Sequence, residues 1–379
     1  VFAVTAALLG LVAVLVVAEF LLRWAWRPAW LAEFQQAGMY VPTADGDIAL
    51  RPGYRGTLQV VEPTTVSINA LGMRGPELRP KAVGERRLLV LGDSMVWGYG
   101  VQAEQALPAR LEHALREQGL VLAVGNGGVP GYGSKHVVQH QARLDAAFAP
   151  DAFVIAACLG NDSLDDTAPM RTVYADLQLQ GPWARLAQQS ARARLMYRSR
   201  LAMWCEATIA THWPAASLLA QLTFDPAEAA LRAGLPAATT ACLFLDAADP
   251  RTTWQEGVPG PLPRLLELQR TSLQAVRERA AARPLVFVVL PTRWHVIEPE
   301  RQEQLRAQGL APLRYPRGTA QQRWCELARE LGLLALDATP ILAAEPDPAG
   351  LFVDVGHFSA RGHEVVARWL ATAIAPQLR

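Results

Sequence analysis

Five short apolar runs, separated by helical text, constrain this chain more than any other feature. They are "RLLVLG" (87–92), "LVLAVGN" (120–126), "DAFVIAACLG" (151–160), "PLVFVVLP" (284–291) and "LLALDA" (333–338). A strand with one face in water alternates polar and apolar residues, so runs apolar on both faces predict a parallel sheet covered by helices on each side. Between the first two runs, "LPARLEHALREQG" places Leu107, Leu111 and Leu115 on one helical face and stops at Gly119. The 51% apolar content supplies enough material for such a core. The alternation is interrupted between about 164 and 283 by Trp-, Arg- and Ala-rich text with one further apolar run, "ACLFLDA". A helical insertion or lid is expected there. Its "RLLELQRTSLQAVRERAA" reads as a packing helix rather than a substrate-binding surface.

Val1 to Ala18 contain no charge, a run about 27 Å long as a helix, close to the thickness of a bilayer's hydrocarbon core. Trp24, Trp26 and Trp30 follow, with Arg23 and Arg27, residues that settle at a headgroup boundary. A retained transmembrane anchor over 1–23 is expected. A cleaved signal peptide competes, but no clear small-x-small site follows the run. Residues 24–84 read as a juxtamembrane and β-rich lead-in, in which "TLQVVEPTTVSINALGMRG" forms small strands or a hairpin, and 85–379 as the main domain. The basic flank alone favours a cytoplasmic body, but the chain opens without an initiator methionine and the flank does not decide; the expected location is extracytoplasmic, periplasmic or at the cell surface.

Lys and Arg number 36 against 35 acidic residues, so no basic field exists to hold a phosphate backbone, and nucleic acid is not an expected partner. Cys158, Cys205, Cys242 and Cys325 are far apart with no C-x-x-C pair, which excludes a zinc ribbon. Four buried free thiols are expected, one bridge remaining open.

The first apolar run ends abruptly in "GDS". Ligands of doubly wound sheets bind beyond the carboxyl ends of the strands, and "LLVLGDS" puts Ser94 at such an end, with Gly92 permitting a tight exit. A serine hydroxyl becomes nucleophilic only beside a base, and that base needs an orienting group. The C-terminal "LFVDVGHFSARGHEVVARWL" offers Asp354 and His357, spaced so that the carboxylate reaches the near ring nitrogen and leaves the far one for the serine. "GNGGVPGYGS" offers the Gly131 N–H, and "CLGNDS" the Asn161 side chain, as donors to an oxyanion. Each signal alone is ordinary turn or cap chemistry; their joint presence shifts the weight toward a serine nucleophile.

Other histidines carry weaker signals. His136 and His140 stand four apart on a predicted helix without a third metal ligand, and a solvated helix face is expected. His363 is expected near a helix start. Arg293, Trp294 and His295 follow a strand and are expected either at the cleft mouth, where an aromatic platform suits a sugar ring, or in ordinary loop packing.

In order, "GDS", a glycine five residues after Asn126, "GND" and a late "DxxH" resemble the four blocks of the SGNH, or GDSL, hydrolase family, over about Arg86 to the C-terminus with the insertion unmatched. "INALGMRG" before the first block and "GDSxxxGxGV" through it resemble that family's membrane-anchored bacterial branch. The resemblance implies a flavodoxin-like three-layer α/β/α domain with a central parallel sheet, the SGNH hydrolase fold. It implies Ser94 as nucleophile, His357 as base, Asp354 as its orienter, and Ser94 N–H, Gly131 N–H and Asn161 in the oxyanion hole, with no cofactor or metal. Met95 stands where the family has leucine, Leu159 where many members have glycine, and Phe358 where a proline often follows the histidine. The α/β-hydrolase elbow G-x-S-x-G is absent around Ser94. The expected function is a membrane-anchored serine esterase cleaving an acyl ester, acetyl on a glycan being the substrate class that analogy suggests. The alternatives are an O-acyltransferase of envelope or exported polysaccharide using the same triad, and a non-catalytic envelope binding protein of the same fold.

Overall fold

The computed structural model describes residues 2–25, 39–43, 48–59, 63–160, 162, 199–212, 254–255, 258–259, 261–307 and 316–379. Two units divide the chain: 1–48 with 168–229, and 49–167 with 230–379.

In the first unit, Phe2–Ala25 is a helix whose stretch Thr5–Ala25 is long and apolar enough to cross a membrane. Leu9, Val14 and Phe20 on it are exposed. Glu19 and Arg23 are the exceptions to its apolar text. The carboxylate accepts from the Ser199 hydroxyl at 2.7 Å and from the N–H groups of Arg200 and Leu201 at 2.9 Å each, and pairs with Arg23 at 2.6 Å. Those amides open the helix Arg200–His212, whose first N–H groups have no intrahelical acceptor, so an apolar helix keeps an acid where a second helix needs a cap.

In the second unit, the apolar runs form β1 (Arg87–Gly92), β2 (Ala123–Gly128), β3 (Ala152–Cys158), β4 (Leu285–Leu290) and β5 (Leu334–Asp337). The sheet reads β2-β1-β3-β4-β5 across and is parallel throughout. That is the flavodoxin-like order, whose switch point lies beside β1. Period-two geometry sends alternate residues to opposite faces. Leu88, Val90, Val154 and Val288 pack against Leu107, Leu111 and Leu115 of α1 (Leu107–Glu117). On the other face, Leu89, Leu91, Phe153 and Phe287 meet Val137, Leu144 and Phe148 of α2 (Ser134–Phe148), Leu273 and Val276 of α3 (Pro261–Ala280), and Trp324 of α4 (Thr319–Glu330). Val366, Leu370 and Ile374 of α5 (Ala360–Ile374) complete the first face beside α1. Gly119 at φ +79° follows α1 as its stop. The text read as a packing helix within the insertion is α3, buried against α2 and the sheet.

β2 begins three residues later than its apolar run and continues into glycines. A Cβ at Gly125 would strike the Phe148 ring, one at Gly127 the Leu91 side chain, and one at Gly128 the Trp97 amide nitrogen. The edge strand is glycine-rich because neighbours come too close for side chains.

The lead-in contains the predicted hairpin, Arg55–Gln59 paired antiparallel with Pro63–Ser67. Its following loop is bolted by Asn69, whose side-chain oxygen accepts from the Leu71 and Met73 N–H groups at 3.0 and 3.1 Å.

Two expectations need correction. His136 and His140 are 4% and 3% exposed, not on a solvated face, because α2 is covered by α3 and by the Tyr132 ring, which stacks on one imidazole and meets the other edge-on. Of the cysteines, Cys158, Cys205 and Cys325 are free thiols, but Cys205 is exposed; Cys242 lies outside the described residues.

Candidate active site

β1 delivers Ser94 beyond its carboxyl end. The exit is tight: a Cβ on Gly92 would come within 2.6 Å of the Ala156 carbonyl oxygen and of the Val96 side chain. Asp93 caps the short helix Ser94–Trp97, its Oδ1 accepting from the Met95 N–H at 2.9 Å. Met95 is buried in the core with the β1 side chains, so it fills the leucine position without disturbing the turn. Ser94 is itself 8% exposed.

Asp354 and His357 sit on a turn closed by an antiparallel bridge between Phe352 and Phe358, with the Val353 N–H donating to the His357 carbonyl at 2.9 Å. Phe358 is fully buried, against Phe352 at 5.3 Å and His363 at 5.6 Å between ring centroids. The bulky substitute for proline thus anchors the turn through the core. Ser359 then caps α5, accepting from the Gly362 N–H at 3.2 Å. Arg293 braces the same turn by donating its N–H to the Val355 carbonyl at 3.0 Å.

The turn places the His357 Nε2 2.9 Å from the Ser94 Oγ. The Nδ1 lies 2.8 Å and 3.0 Å from the two Asp354 carboxylate oxygens. A carboxylate only accepts, so Nδ1 carries the ring proton and Nε2 is left to accept from the serine hydroxyl. Asp354 Oδ1 also accepts from the Gly356 and His357 N–H groups at 2.8 and 2.7 Å. Burial pushes the Asp354 carboxyl up, but the hydrogen bond and charge of His357 and these two amides outweigh it and hold it below the usual range. The acid is therefore ionised at neutral pH.

Gly131 follows β2, next to β1 in the sheet, and adopts φ +81°, a backbone that suits glycine. Asn161 lies outside the described residues. Its neighbour Asp162 is buried and accepts from the Cys158 N–H at 2.9 Å, tying the turn after β3 to the strand it leaves. Sequence reasoning missed two further supports. Asn126 donates to the Trp97 carbonyl at 3.2 Å and accepts from the Gly128 N–H at 3.1 Å, linking β2 to the serine's helix. His136 accepts the Gly133 N–H on its Nδ1 at 3.0 Å, fixing the turn that carries Gly131. The signals were the place of Asn126 in a glycine-rich run and the four-residue spacing of His136 to His140, neither of which shows the bond the side chain makes.

The remaining candidates are structural. His363 is in the first turn of α5, as expected near a helix start, and fully packed. His295 is buried with its Nδ1 2.7 Å from the Thr292 hydroxyl, which is loop packing, while Arg293 pairs with Glu300 at 2.6 Å and Trp294 is half-buried. A cleft of about 670 Å³ along β2 is lined by Asn69, Arg74, Glu77, Gln102 and Glu112, without Ser94, Asp354 or His357. Side-chain geometry rather than concavity selects the site.

Residues 90–266 match the GDSL-like Lipase/Acylhydrolase family, a span that contains Ser94 and Gly131 and ends before Asp354. Among solved structures, the chain is similar to the lipase/acylhydrolase from Enterococcus faecalis at 13% identity and TM-score 0.39, covering 78% of this chain and 97% of that one. It is also similar to the psychrotrophic esterase EstA from Pseudoalteromonas sp., at 10% identity and TM-score 0.33, covering 78% and 99%. No curated protein matches its sequence. The chain thus carries a GDSL-like lipase/acylhydrolase match over residues 90–266, with "GDS" at the carboxyl end of β1, one strand in from the edge of a helix-covered parallel sheet.

Proposed function

We propose that the protein is a membrane-anchored serine esterase that cleaves an acyl ester, acetyl on a glycan being the substrate class, through an acyl-Ser94 intermediate. The observation that carries this reading is the continuous array from the Ser94 hydroxyl through His357 to Asp354, with contacts of 2.9 and 2.8 Å. In the first half-reaction the Ser94 Oγ bonds to the ester carbonyl carbon while its proton passes to the His357 Nε2. The carbonyl electron pair moves onto oxygen, where the N–H groups of Ser94 and Gly131 and the Asn161 side chain are the assigned donors. Collapse of that oxyanion breaks the bond to the alcohol, which takes the proton from Nε2. Water repeats the sequence in reverse and frees the acid. The assembled array favours this over a non-catalytic binding protein.

A fluorophosphonate probe tests the nucleophile: it is expected to label wild type stoichiometrically at Ser94, located by peptide mass spectrometry. Absence of label on folded protein refutes the mechanism. Candidate glycans added to an aryl acetate assay then separate hydrolysis from transfer, since an acyltransferase yields acylated saccharide in place of free acid.

Retention of the apolar helix is supported by Glu19, whose bonds to Ser199, Arg200 and Leu201 tie it to a later part of the chain. The protein is expected in the carbonate-resistant membrane fraction, and a form lacking 2–25 in the soluble fraction. The same distribution for both forms refutes the anchor. On this reading the enzyme faces the extracytoplasmic side. Protease added to intact spheroplasts is expected to degrade it, and protection places it in the cytoplasm instead.

A further inference from the structure

The turn after the serine's helix, "WGYGV" (97–101), holds an aromatic ring on the imidazole. The ring centroids of Tyr99 and His357 lie 4.4 Å apart at 33° between planes. Tyr99 is fixed from both sides. Gly98 and Gly100 flank it at φ +88° and +81°, backbones that strain other residues, and the Tyr99 N–H donates to the Ser94 carbonyl at 3.1 Å. The turn is in turn clamped by Arg74 from the lead-in, which donates to the carbonyls of Gly98 at 2.6 Å, Val101 at 2.7 Å and Trp97 at 3.0 Å. Its guanidinium also lies 4.2 Å over the Trp97 ring and is 3% exposed. The planar fork satisfies three carbonyls that bracket a single tyrosine, which a lysine's point charge does not reproduce.

We propose that Tyr99 is a positioning residue for the reaction, its ring face holding and stabilising the His357 imidazolium formed when the serine proton arrives, with Arg74 fixing the turn that presents it. The proposal rests on the reading of Ser94 and His357 as nucleophile and base. During the step the Oγ–H bond breaks, the Oγ–acyl bond forms and the ring gains a positive charge. That charge is held by the Asp354 carboxylate at Nδ1, while the electron-rich Tyr99 face meets the ring within cation–π range. The neutral imidazole of the resting state gains little from the same face, so the interaction grows toward the transition state and acts on kcat.

The test is steady-state kinetics of the full chain in detergent on an aryl acetate. Tyr99→Leu is expected to lower kcat about tenfold with KM within twofold, and Tyr99→Phe to retain kcat within twofold, because the ring remains. Arg74→Lys is expected to lower kcat as well and to add nothing to Tyr99→Leu. A series of Phe, difluoro-Phe and pentafluoro-Phe at 99 keeps the shape and removes the negative face, so kcat should fall with each step whether or not the leucine variant folds. A flat fluorine series overturns the proposal, as does a Tyr99→Leu change confined to KM, which makes the ring a substrate wall. Ser94→Ala run alongside separates the two levels: an active Ser94→Ala protein refutes the serine mechanism itself, whereas an inactive one beside a flat series refutes only the role of Tyr99.

Discussion

Replacing Ser94 or His357 by alanine is expected to lower kcat on a small aryl acetate by about 10⁶, and replacing both to lower it no further. The two side chains act as one unit: without the 2.9 Å contact the hydroxyl keeps its proton, and without the hydroxyl the base has no proton to take. Asp354→Asn should cost about 10⁴ with the fold intact. The amide oxygen can still accept from the Gly356 and His357 N–H groups, so the turn survives. The amide nitrogen, however, cannot accept from Nδ1–H; the ring moves its proton to the other nitrogen and Nε2 no longer receives the serine's. Additive losses in the double variant, or a small loss in Asp354→Asn at neutral pH, contradict the array. Near-UV circular dichroism of each variant shows whether tertiary packing is kept.

The second large effect is on stability. Burial, reinforced by Lys135 and Arg143, holds the His136 imidazole down to about 3, and burial with Arg143 does the same for His140. Burial, reinforced by the charges of Arg74 and Arg110, holds His363 down to about 3. The unfolded chain titrates these groups near 6.5, so below that pH it binds protons that the native state refuses. Stability therefore falls as pH falls from 6.5 toward 3. Three such groups remove about 4 kcal/mol between about pH 7.5 and 5.5, a large share of a typical domain's total. The depressed Asp354 carboxyl adds a loss only at lower pH, as it takes up its proton. Denaturant midpoints at three pH values measure the slope, and His140→Phe should reduce it by about a third. A pH-independent midpoint over this window shows that the imidazoles take up protons as readily in the native state as in the unfolded chain, and overturns this reading.

Much of this was legible in the sequence. The alternation of apolar runs and helical text determines a parallel, helix-covered sheet, because strands apolar on both faces have no other way to avoid water. "GDS" at the end of the first run and the late Asp354 and His357 were legible as residue types suited to the proposed chemistry, and the apolar first helix as an uncharged run long enough to cross a membrane. The sequence did not show that His136, His140 and His363 are buried, since helical spacing alone does not reveal which face a neighbouring helix covers. Nor did it show why β2 is glycine-rich, or why phenylalanine stands at 358. Those answers depend on the Phe148 ring, the Trp97 amide and the Phe352 bridge, which come close only once the sheet forms. The separation of 263 residues between Ser94 and His357 makes the same point at the site. Residue type fixed what each group can do, a local property of its atoms. Which groups meet was decided by the tertiary structure, because contact at 2.9 Å between distant segments depends on the packing of every element between them.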